Sequence, residues 1–259
     1  MTAKTHFLKM DLKRCFCSKK LLLGVLGCIL IMFFGSMEWM KTALSVFYVY
    51  DLLMSGMPFL IVLTFCALPY SGGFCDDLEN KYIMQLLIRG NIRKYIASKI
   101  VTVVVSSISC YLLAASIYIG ILHAKLTWLH SEEMQNFDDG NLLVQQGHYL
   151  GYLILMSLQF SLVTAVLSLL ASYISLYINN RLLTLTVPLM AYYAVMYYGL
   201  RLFRGIPWLN IVFVYIPTQY RVGKDDGQSF LWAMFLAGIA ILVLSIAIYK
   251  KVERRIWGE

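Results

Sequence analysis

Charge is scarce in this chain. Only 14% of its 259 residues are Asp, Glu, Lys or Arg, while 60% are hydrophobic and the mean hydropathy is +0.70. A soluble domain keeps roughly a quarter of its residues charged, because its surface must face water. A water-soluble globule is therefore excluded, and most of the surface is expected to face lipid. The chain has no G-x-x-x-x-G-K-[ST] loop, so it lacks the amide cradle and lysine that hold nucleotide phosphates. No acid or base falls near the middle of an apolar run, and Asp51 stands near an end of one. A midplane charge costs about 2.5–3.5 kcal/mol on insertion scales and marks ion or proton paths; its absence argues against secondary transport. His-x-x-x-His and Glu-x-x-x-His pairs are also missing, and no buried base accompanies a serine. That argues against an intramembrane metalloprotease or serine protease, and no catalytic residue is expected.

What the chain does have is six apolar runs, each close to the roughly 20 residues a spanning helix needs. They cover about 21–37, 52–68, 100–123, 149–175, 182–200 and 230–249. The length suits one transmembrane domain over 1–259. The first run has no small-residue cleavage site behind it and reads as a retained span. Of the 22 Lys and Arg, sixteen fall in the N-terminal segment, the loops after the second and fourth runs, and the C-terminus. The other six lie in the alternate loops. The positive-inside rule places the sixteen in the cytosol, so both termini are expected there, in a multi-pass protein of the cell membrane. The net charge of +8 is thus read as topology, not as a nucleic-acid surface.

Cysteine is absent from the external loops. Cys15, Cys17 and Cys75 fall on the cytosolic side and Cys28, Cys66 and Cys110 within spans, so no disulfide framework is implied. Cys15-Phe16-Cys17 lacks further ligands at finger-like spacing, and no metal site is expected. Residues 5–20 are too charged to span. Phe7, Leu8, Met10, Leu12, Cys15 and Phe16 can share one broad helical face, with Lys9, Lys13 and Lys20 outside it. This predicts a helix in the headgroup layer, drawn to anionic lipid.

The most charged stretch is "YSGGFCDDLENKYIMQLLIRGNIRKYIASK", residues 70–99. Pro69, Ser71, Gly72 and Gly73 read as a breaker ending the second span. Over 76–89, Leu78, Tyr82, Ile83, Leu86 and Leu87 recur at helical spacing, giving one apolar stripe. Gly90 permits a left-handed cap after Arg89. The expectation is a short amphipathic helix at the cytosolic surface, its stripe bedded on the membrane domain. Asp76, Asp77, Glu79, Lys81 and Gln85 would then face a soluble partner.

In the fourth run, Ser157, Ser161, Thr164, Ser168, Ser172 and Ser175 follow one helical face. Small hydroxyl residues let helices approach closely, so this row is a candidate pathway wall or dimer seam, or else ordinary packing. Tyr193 and Tyr197, with Tyr192, Tyr198, Met190 and Met196, line the fifth run. They suit an amphipathic or hydrophobic cargo or a headgroup belt. Residues 206–216 are apolar but too short to cross, with prolines bracketing the run at Pro207 and Pro217, and the segment 206–220 predicts an external re-entrant hairpin or interfacial helix. The external loop near 124–147 carries Glu132, Glu133, Asp138 and Asp139, flanked by His123, His130 and His148. Their spacing matches no dense ligand motif, and a solvated loop is expected.

The order of elements resembles the membrane subunit of an ABC-2 type (type V) ABC transporter: an interfacial helix, six spans with both ends inside, a cytosolic helix between spans two and three, and an external hairpin between spans five and six. Locally, Glu79, "MQLLIRG", Arg93 and Lys99 match that family's acidic residue, leucine-rich helix, turn, Arg and Lys leading into the third span. The family's usual Gly-Thr after the acid is replaced by Asn80 to Ile83. The resemblance implies an all-α polytopic fold whose coupling helix docks a separate ATPase through Asp76, Asp77, Glu79, Tyr82, Ile83, Leu86, Arg89 and Arg93. It implies two membrane subunits, identical or homologous, and an ATPase partner that binds ATP and Mg. Ser157, Ser161, Thr164, Ser168, Tyr193 and Tyr197 become the candidate pathway or seam. An exporter of an amphipathic peptide, such as an antimicrobial peptide, or of a hydrophobic drug is the expectation. An exporter of lipid, glycan or sodium, or a non-transporting membrane scaffold, are the alternatives.

Overall fold

The computed structural model describes residues 7–42, 45–79, 92–130, 141–178, 180–203, 205–209, 214–215, 222–223 and 225–257. Over these the chain is helical: α1 (Phe7–Phe16), α2 (Lys19–Ser36), α3 (Trp39–Thr42), α4 (Val46–Ser55), α5 (Met57–Ala67), α6 (Gly73–Glu79), α7 (Ile92–His123), α8 (Leu142–Gln145), α9 (Tyr149–Ser175), α10 (Arg181–Leu202) and α11 (Asp226–Trp257). Five of them, α2, α7, α9, α10 and α11, are long and apolar enough to cross a membrane, and the bent pair α4–α5 makes a sixth if counted as one span. The chain is thus a polytopic α-helical protein.

The second apolar run differs from the single rod expected over 52–68. It is two helices, bent by 76° at Gly56. The cause is written in Ser55-Gly56-Met57-Pro58. Gly56 takes an extended conformation (φ −91°, ψ 175°) and Pro58 sits in the first turn of α5. There its missing amide removes no helical bond and its fixed φ favours a new start. The top of α2 closes on this break, since a side chain at Gly35 would meet the Pro58 ring at 2.6 Å.

One end of the bundle gathers the basic termini of the helices. Lys20, opening α2, and Arg181, opening α10, both reach Asp76 of α6. Arg93 of α7 donates to the Tyr249 hydroxyl of α11 (3.2 Å), and Arg255 donates to the Leu176 carbonyl just after α9. At the opposite end the start of α4 is hydrogen-bonded to the chain leaving α7, with Val46 N donating to Thr127 O (2.9 Å). There Phe47 stacks on Tyr152 with ring centroids 5.5 Å apart.

The central pillar is α9, which packs against α5, α7, α10 and α11. Its hydroxyl row faces inward: Ser157, Ser161, Thr164, Ser168, Ser172 and Ser175 are all buried within this chain. Peripheral α2 and α11 instead expose large aliphatic and aromatic side chains, among them Leu22, Leu30 and Phe34, and Leu231, Leu242 and Val243. In a soluble protein this surface would be a liability; in a bilayer it is the solvent-facing side.

Element ends shift from expectation in three further places. The helix expected over 5–20 occupies Phe7–Phe16, and Ser18 then caps α2 by accepting from Leu21 N. Two extra turns precede the third span, because α7 begins at Ile92 rather than at 100. The short helix between spans two and three begins at Gly73 and is described to Glu79; residues 80–91, most of the expected 76–89 helix, lie outside the described residues. So do 210–213 and 216–220 of the expected re-entrant segment. Of that segment, Pro207–Leu209 forms a 3-10 turn. The Tyr215 hydroxyl donates to Ala233 O (2.9 Å) and Trp232 Nε1 donates to Trp208 O (2.8 Å), so both described pieces lean on α11.

Candidate functional site

At the basic end, three segments distant in sequence bring ionic side chains together out of solvent. From α1 comes Asp11. It lies on the row Phe7, Asp11, Cys15, spaced by four and therefore one above the other on a helix, and all three are buried. Phe7 packs edge-on against Tyr95 of α7 with centroids 6.2 Å apart. The other apolar residues of this helix do not share that inner face: Leu8, Met10 and Phe16 point outward. The expected broad apolar face is thus split in two. The narrow inner row docks on α7, which leaves a separate outer set exposed. Burial pushes the Cys15 thiol up to about 11.

From the turn after α5 and from α6 come Tyr70 and Asp77, and from the foot of α7 come Tyr95, Ser98 and Lys99. The helix α5 ends at Ala67, and the turn that follows closes with Ser71 N donating to Ala67 O (3.1 Å) and Gly73 N donating to Tyr70 O (2.9 Å). Lys99 Nζ sits 2.7 Å from Asp77 Oδ2 and 3.5 Å from Asp11 Oδ1, and donates to the Tyr70 hydroxyl at 2.9 Å. Tyr70 donates in turn to Asp11 Oδ1 (2.6 Å), Ser98 donates to Asp11 Oδ2 (2.5 Å) and Tyr95 donates to Asp77 Oδ2 (2.7 Å). Arg14, half-exposed, reaches Asp77 Oδ1 at 3.5 Å. Burial, and then the bond to Asp11, hold the Tyr70 phenol far above its ordinary range, so it remains a donor.

Each carboxylate oxygen thereby has a partner. A buried ion pair is worth its desolvation only when the remaining lone pairs and protons are also satisfied, and a fully connected polar network rigidifies what it joins. Here it joins α1, α6 and α7 into one latch. Beside it opens a cavity of about 420 Å³ whose lining includes Arg14, Lys20, Tyr70, Asp76, Lys99 and Arg181.

No family model, curated protein or solved structure matches this chain.

The residues singled out from sequence divide accordingly. Asp77 was expected to face a soluble partner; it is buried and held by Lys99 and Tyr95, because it follows the inward-facing Phe74 on the next turn of α6. Asp76 stays nearer the surface, paired with Arg181 (2.9 Å) and Lys20 (3.2 Å). Arg93 is exposed and bonded to Tyr249. Tyr82, Ile83, Leu86 and Arg89 lie outside the described residues, and of Glu79 only the backbone is described.

The candidate pathway set does not come together. Ser157, Ser161, Thr164 and Ser168 are internal. Three of these hydroxyls donate to carbonyls of their own helix: Ser157 to Leu153, Ser161 to Leu158 and Thr164 to Ser161, each at 2.7 Å. Tyr193 and Tyr197 are exposed on α10, stacked with centroids 6.5 Å apart. Within this chain the row packs against neighbouring helices, with Ser157 also bonded to Tyr50 of α4 (2.7 Å). The tyrosines belong to the outer surface.

Asp11 and the role of Lys99 escaped sequence reading. A signal existed: Asp11 interrupts an otherwise apolar helical row, and only a partner could keep it there. A second gathering had no such signal. Cys28, Cys66 and Cys110 meet from α2, α5 and α7, all buried, with their sulfurs within 4.8 Å of one another. Where no metal ligands were expected, the fold brings three together.

Proposed function

We propose that this chain is the membrane subunit of an ATP-driven exporter of the ABC-2 kind. It would work as one of a pair with two separate cytosolic ATPase subunits, which bind the ATP and magnesium, and both of its termini would lie in the cytosol. One observation carries the reading: α6, which opens the segment expected to meet the ATPase, is fastened by Lys99 and Asp77 to the foot of α7 and through Lys99 and Tyr70 to α1.

A surface helix resting only on apolar contacts could slide when pushed. A helix whose buried carboxylate is held by a buried ammonium carries its partners with it, because separating them leaves an unpaired buried charge. Movement of α6 is thus passed to a 32-residue helix that crosses the membrane. ATP then needs only to stabilise one arrangement of the ATPase pair more than the other. For cargo, the exposed face of α10 offers Met190, Tyr193, Tyr197 and Tyr198. Such soft aromatic surface suits an amphipathic peptide or hydrophobic drug.

The test is to express the chain with the ATPase encoded beside it and purify from detergent. The complex should co-purify and turn over ATP, and substitution of Glu79, Leu86 and Arg93 by Ala should abolish both. If the unaltered chain purifies alone and no ATPase associates, the transport reading fails. Association without any stimulation of turnover points instead to a scaffold.

A further inference from the structure

We propose that Cys28, Cys66 and Cys110 form a three-thiol site for a trivalent thiophilic centre of the arsenic(III) class. The three residues are 38 and 44 positions apart in sequence, yet Cys28 Sγ lies 3.6 Å from Cys66 Sγ and all three sulfurs fall within 4.8 Å. A centre bonded to sulfur at about 2.3 Å, the length of a zinc–thiolate bond, draws three sulfurs to roughly 3.5–4 Å of one another. The observed spacing is therefore close to that of a filled three-sulfur site before anything binds.

The surrounding packing is arranged to bring the sulfurs together. A Cβ at Gly24 would stand 3.0 Å from Cys110 Sγ and 2.9 Å from the Phe65 carbonyl, and one at Gly27 would overlap the Phe65 ring at 2.2 Å. Only glycine at both positions lets α2 lie this close to α5 and α7. The carbonyls of Val62 and Phe65 face Cys28 and Cys110 respectively, at 3.7 and 4.0 Å.

Charge selects the occupant. The three cysteines belong to the buried apolar core that also holds Met32, Phe59, Leu63 and Tyr111, and a net charge there is costly. Zinc bound by three thiolates leaves one negative charge and an empty fourth position, whereas structural zinc is four-coordinate; among the described residues no fourth His, Cys, Asp or Glu joins the three. A monovalent soft cation with three thiolates leaves two negative charges. A trivalent centre leaves none. Arsenous acid, itself uncharged, reacts as As(OH)3 + 3 R–SH → As(SR)3 + 3 H2O. Three As–O bonds break, three As–S bonds form, each thiol proton leaves with a hydroxide as water, and nothing is oxidised or reduced.

The test uses the full-length chain in detergent with Cys15, Cys17 and Cys75 replaced by Ala, so that no other thiol competes. After incubation with arsenite, intact-mass measurement should give one arsenic per chain less three hydrogens. X-ray absorption should count three sulfur neighbours, and the Tm should rise. Cys28→Ala, Cys66→Ala and Cys110→Ala, each checked for folding by gel filtration, should each lose the adduct and the Tm rise. Absence of arsenic on the folded protein overturns the proposal. So does an adduct that survives any one of the three substitutions, or retention of silver(I) or copper(I) in place of arsenic. Loss of only two hydrogens in air, with no metalloid uptake, overturns it as well, since the pair Cys28 and Cys66 would then be a disulfide couple.

Discussion

Lys99 Nζ and Asp77 Oδ2 stand 2.7 Å apart with both side chains almost entirely removed from solvent, and the two residues belong to different helices. Deleting one member of such a pair leaves an uncompensated buried charge. Lys99→Met strands Asp77 and Asp11 together, and is expected to destabilise the folded state by about 3–5 kcal/mol. Asp77→Asn is milder, because Lys99 keeps Asp11 and the Tyr70 hydroxyl. Thermal unfolding in detergent should rank the two in that order. Equal losses would mean that Asp11 is not sharing the ammonium.

Close packing of α2 against α5 rests on a glycine. A methyl group at position 27 would lie 2.2 Å from the Phe65 ring, closer than any van der Waals contact, so one of the helices must shift. Gly27→Ala should cost about 1–3 kcal/mol, as overpacking in a filled core does. Phe65→Leu in the same chain should return much of it, and a double-mutant cycle would register that coupling directly. Additivity of the two substitutions would remove the contact as the cause.

Two cysteines two positions apart should react very differently. Cys17 is exposed and Cys15 is buried, with its thiol pushed up to about 11 by that burial. Because the thiolate is the reactive form, a membrane-impermeant maleimide at mildly alkaline pH should label Cys17 rapidly and Cys15 only after denaturation. The same reagent reads topology. Labelling of Cys17 in inside-out vesicles but not in intact cells is the outcome expected of a cytosolic N-terminus. Labelling in intact cells would reverse the orientation.

Much of this architecture could be read from composition and periodicity, because lipid imposes a single demand on every span: a long apolar run with its backbone bonds satisfied internally. The run at 149–175 became α9 with the same limits. Where the sequence was misread, a second demand competed with the first. Gly56 and Pro58 lie inside an apolar run that hydropathy alone treats as continuous, and their backbone preferences broke it into α4 and α5. The hydroxyl row of α9 was legible as a face but not as to what it faced, since small residues serve a seam, a pathway and an internal contact equally. The latch was half legible. Asp77 and Lys99 could be seen, but their convergence with Asp11, 66 and 88 positions away in sequence, where Lys99 is shared by both acids, arises only when α1 folds back onto α7. Convergence from three helices also hid the thiols, whose sequence spacing matches no local ligand motif.

On the proposed function, docking and transmission rest on different residues and should be separable by mutation. If α6 passes movement to α7 through Asp77 and Lys99, then Asp77→Asn should leave the ATPase bound, because Asp77 is buried and the other residues proposed to meet the ATPase are unchanged. The stimulation of ATP turnover by the membrane subunit should fall, by the 5- to 150-fold that a coupling of about 1–3 kcal/mol represents. Substitution of Glu79, Leu86 and Arg93 should instead remove the ATPase itself. Measuring co-purification and turnover for both variants beside the unaltered complex gives four numbers that cannot all be explained by misfolding. A misfolded subunit loses association first, whereas an unlatched one keeps it. Full turnover in Asp77→Asn would show that movement reaches the membrane helices by another contact, and would leave the buried pair with a structural role alone.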